Sequence, residues 1–304
     1  MNVSQIDETY GAVMREAAIS RRAAPQYGIR ELLAKPPFSG FIDVSFLNDL
    51  PLSMFLCEND DGVALRCLWT GSFEPMSIAI WCSLVRQTQC AIDVGAHSGL
   101  YSLAGHAVND AAQIVSLEPY SLNFSRLVLN LKANRSSIGG AINAAASDKS
   151  GVVSFSVSSP PGYLTSGGSV STTPGAAHIS VPCVTLDKIV IKNNLQPGVI
   201  KIDVEGHELQ VLRGSEAVFD TYFPDLIIEC VFSHNATEIE RFLTQRGYRF
   251  YVINDAALTL DEVDSFRPSS GGTAKISRLN RFVTKRNARD VLRIQATAHV
   301  LLRV

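Results

Sequence analysis

The stretch VIKIDVEGHELQVLRG, Val199 to Gly214, sets Asp203, Glu205, His207 and Glu208 directly after a short apolar run. The run has the length and composition of a buried strand ending at Asp203, and a helix is expected from near Gly206. Carboxylates and an imidazole at a strand tip can take up a proton and offset positive charge. Acids in the first turn of a helix also complement its positive end, which is a sufficient reason for Glu205 and Glu208. Asp203 precedes the helix and has no such explanation.

A second group follows the apolar run CAIDV. In DVGAHSG, Asp93 to Gly99, the glycines Gly95 and Gly99 let backbone approach a ligand, with a helix N-terminus just beyond. The spacing is neither GxGxxG nor GxxxxGK[ST], so a nicotinamide dinucleotide and a triphosphate are both poorly served. Glu118, before Pro119, closes the next run. An acid there can accept hydrogen bonds from both hydroxyls of a ribose. Ser147 and Asp148 close the third run, where an Asp can receive the amine of adenine or cap a turn. Together these residues point to a nucleoside ligand.

Positioning them requires strand–helix alternation, and the chain supplies it from Cys90 on. Apolar runs at CAIDV, QIVSLEP, AINAAASD, GVIKIDV and DLIIEC alternate with helical stretches at Ser98–Val108, Ser121–Asn134, Leu186–Asn193, Glu208–Phe219 and Ala236–Arg246. GVVSFSVS and YRFYVI read as further strands. Near-continuous apolar strands between helices predict a doubly wound, Rossmann-like α/β fold with a parallel sheet covered on both faces. Upstream, Glu8–Leu33 is helical in character, short strands are expected at Ser53–Glu58 and Val63–Thr70, and a helix begins near Glu74–Pro75. Two Gly/Ser/Pro-rich loops are expected, at 158–177 and 267–275.

The series AIDVGAHSGLYS, VSLEPY, AAASDKSGVVSF and VIKIDVEGHELQVLRG resembles the FkbM-type family of S-adenosylmethionine-dependent methyltransferases, over roughly Phe73 to Ile253. The resemblance implies the seven-stranded class I methyltransferase sheet in residues 73–304. It also implies methylation, mostly of hydroxyls on sugars, polyketides and other small metabolites. Residues 1–72 form an N-terminal helical and β extension outside the resemblance, a candidate substrate cap or homodimer interface. By analogy Asp93, Gly95 and Gly99 line the methionine part of the cofactor, Glu118 with Pro119 takes the ribose, and Ser147 with Asp148 the adenine. From their positions, His97, inside the loop, is a candidate contact to the cofactor or the acceptor, and Tyr101, just beyond it, is either a partner of the cofactor carboxylate or an ordinary helix residue.

Methyl transfer to an aliphatic hydroxyl needs help in removing the proton. One mechanism uses Asp203 or His207 as base, with Glu205 beside them. The other has Asp203 and Glu229, from DLIIEC, hold Mg2+, a hard cation suited to carboxylates. Transfer to nitrogen, carbon or a carboxylate, and a cofactor-binding scaffold without turnover, are the alternative readings.

The composition excludes other classes. The 304 residues are 46% hydrophobic and carry a formal net charge of -2, so the chain buries a sizeable core and lacks the basic excess of a nucleic-acid binder. None of the six cysteines forms a CxxC pair, and buried free thiols are expected. No run approaches the ~20 apolar residues of a membrane span. The N-terminus lacks the features of a secretory signal, and a cytoplasmic protein acting on a small hydroxylated molecule is expected. The NxS/T triplets at Asn2, Asn123, Asn134 and Asn235 are read as chance. His106 is read as structural, His178 and His234 as loop residues, and Trp69, Phe73 and Trp81 as core or acceptor wall.

Overall fold

The computed structural model describes residues 3–22, 27–44, 50, 52–158, 164–165, 167–170, 177–229, 235–266 and 279–303. The N-terminal segment comprises helices α1 (Val3–Arg22) and α2 (Ile29–Leu33), an antiparallel pair β1 (Gly40–Asp43) and β2 (Ser53–Leu56), and α3 (Gly62–Thr70). The stretch Val63–Thr70, expected as a strand, is this last helix. Asp61 caps it, accepting from the backbone N–H groups of Val63 and Ala64, and Gly71 ends it at φ 86°. Its apolar residues Ala64, Leu65, Cys67, Leu68 and Trp69 are all buried. A cap followed by good helix formers outweighs the short β-like run.

Helix α4 (Pro75–Val85) follows, then β3 (Cys90–Val94), α5 (Leu100–Val108), β4 (Gln113–Leu117), α6 (Ser121–Ala133) and β5 (Ala141–Ile142). The chain then leaves the main sheet for a small one made of β6 (Ala145–Ala146), β7 (Gly151–Val157), β8 (Ser169–Val170) and β9 (Ala177–Val184), in the order β6-β9-β7-β8. It returns through α7 (Leu186–Asn193), β10 (Val199–Ile202), α8 (Glu208–Arg213), α9 (Glu216–Tyr222), β11 (Asp225–Glu229), α10 (Ala236–Thr244), β12 (Arg249–Asn254), β13 (Thr259–Val263), β14 (Asn280–Thr284) and α11 (Ala288–Leu302).

The main sheet runs β13-β12-β14-β11-β10-β3-β4-β5. Seven of these strands form the expected sheet, and β13 adds an antiparallel edge strand. The sheet is mixed, not purely parallel, because β14 inserts antiparallel between β11 and β12. Sequence order reverses between β3 and β10, and the carboxyl ends of strands at such a switch point form a crevice. Two apolar clusters cover the faces. Ala91, Val199, Ile227 and Phe282 pack with α4, α5 and α11, while Ile92, Ile200, Ile202, Leu226 and Ile228 pack with α7, α8, α9 and α10. Among the described residues no helix is long and apolar enough to cross a membrane.

The N-terminal segment is fastened to α6 by polar side chains. The Arg126 guanidinium donates to both carboxylate oxygens of Asp60, at 3.1 and 2.8 Å, and to the Phe55 carbonyl at 2.9 Å. Asn130 and Asn134 accept from the N–H groups of Phe55 and Ser53, both at 2.8 Å. The Asn123 and Asn134 amides of the NxS/T triplets are thus committed inside the fold. Arg126 and Asp60 are nearly enclosed, with side chains 10% and 8% exposed. Arg126→Ala leaves a carboxylate without its partner and is expected to destabilise the protein by roughly 3 kcal/mol. A urea unfolding midpoint equal to that of the parent would show that the pair does not secure the segment.

Candidate active site

Gly95 brings the tips of β3 and β10 together. Its φ is 82°, and a Cβ there would lie 1.8 Å from the Asp203 carbonyl oxygen, so no side chain fits between the two turns. The N–H groups of Gly95 and Ala96 donate to the Leu117 carbonyl at 3.0 and 2.9 Å, which fastens the same loop to β4. Gly99, at φ 100°, opens α5, and a Cβ there would meet Leu127 at 2.6 Å. Asp93 is fully buried. One of its carboxylate oxygens accepts from the Ser102 hydroxyl at 2.6 Å, and the other has no hydrogen-bond partner among the described residues. Burial raises its pKa, and Lys201 works against that rise.

Glu118 stands at the tip of β4. It accepts from the backbone N–H of His97 and of Tyr120, each at 2.9 Å, and from the Asn123 amide at 3.4 Å. Burial pushes it up to about 7 against these donors. Asn123 also exchanges two hydrogen bonds with the backbone of Thr165, at 2.9 and 3.1 Å. That contact holds one point of the 158–177 loop over Glu118. Asn143 donates to the carbonyls of Glu118 and Pro119 at 2.8 and 3.1 Å.

The third apolar run is split, because β5 pairs in the main sheet and β6 pairs with β9 in the small one. Asn143 therefore follows the strand end beside Glu118. Ser147 is buried beyond β6, and Asp148 is exposed. The His207 ring lies here, with Nε2 3.0 Å from the Ser147 hydroxyl, which in turn donates to Asp148 at 3.2 Å. Burial lowers the His207 pKa, with Asp148 opposing.

Asp203, Glu205 and Glu229 converge, with one carboxylate oxygen from each lying within 4.8 Å of the others. Burial alone would raise Asp203, but Lys201 and a hydrogen bond from Glu229 hold it below the ordinary aspartate value. The Lys201 ammonium is 2.9 Å from Asp203 Oδ2 and 4.6 Å from the centre of the Tyr101 ring. Burial and the neighbouring Asp203 charge push Glu229 well above the ordinary glutamate value, which favours a carboxyl that hydrogen-bonds to Asp203. Glu205, at φ 54°, rises to about 7 by burial and the same charge. Glu208 accepts from the Gly206 N–H at 2.8 Å, as a helix-start acid does.

Two further acids belong to this region. Glu74 accepts from the Tyr101 hydroxyl at 2.7 Å and is raised to about 7 by burial and Asp255. Asp255 accepts from the backbone N–H and hydroxyl of Ser77, both at 2.9 Å, and rises to about 6 by burial. From the N-terminal segment, Asp61 lies 4.0 Å from His97 Nδ1, which is 3.1 Å from the Ser98 hydroxyl.

The structure thus joins Asp93, Gly95, His97, Gly99 and Glu118 in one loop system, and Asp203, Glu205 and Glu229 in another that touches it. It sets His207 apart from these acids, with Ser147 and Asp148. Sequence reasoning missed Lys201, Glu74, Asn123, Asn143 and Asp255. A lysine inside an apolar strand was a legible signal for the first, and an acid before a helix-starting proline for the second. His106 is buried and packed in α5, and Trp69 and Trp81 are fully buried core. Cys230, His234 and the 267–275 loop lie outside the described residues.

A seven-strand order with one antiparallel insertion, carrying a glycine loop at its switch point, is the Rossmann-like architecture of class I methyltransferases. Residues 93–250, just over half of the chain, match the model of the methyltransferase FkbM domain, and the chain belongs to that family. Among solved structures it resembles the methyltransferase FkbM from Methylobacillus flagellatus KT, at 16% identity and a TM-score of 0.43 over 73% of this chain. The match spans about half of that protein, 53%. It also resembles a SAM-dependent methyltransferase from Agrobacterium tumefaciens, at 10% identity and TM-score 0.45, over 83% of this chain and 72% of that one. A third is a SAM-dependent O-methyltransferase from Thermotoga maritima, at 11% identity and TM-score 0.39, over 86% and 82%. No curated protein matches the chain in sequence.

The raised acids give the free protein a pH signature. Glu74, Glu118 and Glu205 hold protons up to about 7 when folded, against 4.5 for an ordinary exposed glutamate such as the unfolded chain presents. The folded state binds more protons across that window, so this stability is full below it and is lost as pH rises through about 7. The melting temperature is expected to fall between about pH 5.5 and pH 8 by several degrees. Glu118→Gln should flatten the fall; a parent protein that melts at the same temperature at both ends would show these acids to be ordinary.

Proposed function

We propose that the chain is an S-adenosylmethionine-dependent O-methyltransferase acting on a hydroxyl of a small metabolite. The observation that carries the reading is Asp203, a carboxylate kept ionised by Lys201 at the strand tip that touches Gly95. The residues fit the cofactor. Gly95 admits no side chain, Asp93 has a buried carboxylate oxygen without a partner, and Glu118 stands one strand away where a ribose would lie. When bound, the cofactor supplies an electrophilic methyl group on a sulfonium.

The chain's residues then have distinct tasks. Asp93, Gly95, His97 and Gly99 line the methionine end. Glu118 and Pro119 hold the ribose, with Asn123 and Asn143 fixing them. Ser147 and Asp148, steadied by His207, face the adenine. Tyr101 is committed to Glu74 and shapes the site through its ring rather than by binding the cofactor carboxylate. Asp203 takes the proton of the acceptor hydroxyl, and Glu229 donates a hydrogen bond that orients it. Glu205 adds negative potential beside the acceptor. Residues 1–72 cap the acceptor side, where Asp61 meets His97.

Mg2+ held by Asp203 and Glu229 fits this donor set poorly. The Lys201 ammonium, 2.9 Å from one oxygen of Asp203, already supplies a buried positive charge beside these carboxylates. A divalent ion would have to displace it from that oxygen, so no step is routed through one. Turnover is expected to persist in excess chelator; its loss, with recovery on adding Mg2+, would restore the metal mechanism.

Screening hydroxylated acceptors with a donor labelled in its methyl group tests the reaction itself. With an accepted substrate, Asp203→Asn should reduce kcat by about 10²-fold or more while donor affinity changes far less. Wild-type turnover in that variant would remove Asp203 from the mechanism, and label found on nitrogen or carbon would replace the O-methylation reading.

A further inference from the structure

We propose that Lys201 is a positioning residue that sets the charge felt by the methyl donor: it draws the Asp203 carboxylate onto its own ammonium and so keeps that carboxylate from over-stabilising the sulfonium before transfer. The inference rests on the methyltransferase reading and goes beyond it. Lys201 lies in β10, where all four residues are buried, and is itself 3% exposed. A lysine in the centre of a sheet is tolerated only with partners that repay its desolvation. Strand alternation places it on the same face as Val199, toward α4 and α5. There its ammonium meets Asp203 at 2.9 Å and the Tyr101 ring at 4.6 Å. The Tyr101 hydroxyl is tied to Glu74 at 2.7 Å, so the ring is a fixed platform. Asp93 is its direct partner in register on β3. The ammonium therefore sits among Asp93, Asp203 and Glu74, at the base of the acidic group that includes Glu205 and Glu229.

A sulfonium loses its positive charge as its methyl group leaves. A bare carboxylate beside it stabilises the starting state more than the transition state, which slows transfer. A fixed ammonium behind Asp203 removes part of that unhelpful attraction. It also holds Asp203 in one orientation for the acceptor proton.

The test compares S-adenosylmethionine, a sulfonium, with S-adenosylhomocysteine, the neutral thioether product, by calorimetry on the full chain. In Lys201→Met, measured at about pH 8.5 so that Asp203 stays ionised without its ammonium, the preference for the sulfonium over the thioether should rise roughly tenfold, since an uncompensated carboxylate then faces the positive ligand. Lys201→Arg, which keeps the charge, should retain a ratio near that of the parent. Merely structural damage would weaken both ligands in parallel, and an unchanged ratio in folded Lys201→Met overturns the proposal. Should that variant fail to fold, Lys201→Gln removes the charge while keeping a donor to Asp203, and the same ratio decides. A parent chain that binds neither ligand would instead overturn the methyltransferase reading, and this inference with it.

Discussion

The close approach of Gly95 to the backbone of Asp203 is the constraint on which the rest of the site depends. Two neighbouring parallel strands whose following connections lead to opposite sides of the sheet need room at their tips for a ligand, yet must touch for their side chains to act on one atom. A glycine at φ 82° satisfies both demands. It lets the β3 turn rest on the β10 turn, while its neighbours reach β4 through the Leu117 carbonyl. Any larger residue would push the β3 turn, with Asp93 and the contact to Glu118, away from Asp203.

Charge is the second organising term. Several carboxylates lie at these tips, and burial drives most of them toward the neutral form. Asp203 departs from the pattern because an ammonium lies against it. The same environment thus yields a protonated Glu229 and an ionised Asp203 within hydrogen-bonding reach. Environments that separate two like groups in this way assign them opposite roles, one as donor and one as acceptor of a proton.

The motif loops were legible because each rests on a local requirement. A glycine admits positive φ, an acid closes a strand, and an apolar run needs cover on both faces. What could not be read depended on long-range pairing. The antiparallel insertion of β14 and the packing of α11 on α4 leave no local mark that separates them from other short runs. The third run looked continuous, but it is split, so that Ser147 and Asp148 close the small-sheet strand β6 rather than the main-sheet strand β5. Val63–Thr70 was misread because a few apolar residues do not distinguish a strand from a helix; the capping Asp61 did, and lay in plain view. His207 follows the acidic tip in sequence, yet its ring turns toward Ser147, a contact sixty residues distant that only the fold supplies.

The same long-range pairing explains why the N-terminal segment is more than an appendage. Asn130 accepts from Phe55 in β2 and donates to the Ser98 carbonyl at 2.8 Å inside the glycine loop. One side chain on α6 therefore joins the segment to the loop that would carry the cofactor. Asp61 reaches the same loop from α3, beside His97. A shift of the β1–β2 pair would be felt at Ser98 and His97 through these contacts, and also through the apolar cluster that joins Ile42, Met54 and Leu56 to Ala96 and Leu100. The N-terminal segment and the glycine loop therefore share a wall in which buried amide and carboxylate groups supplement the aliphatic packing.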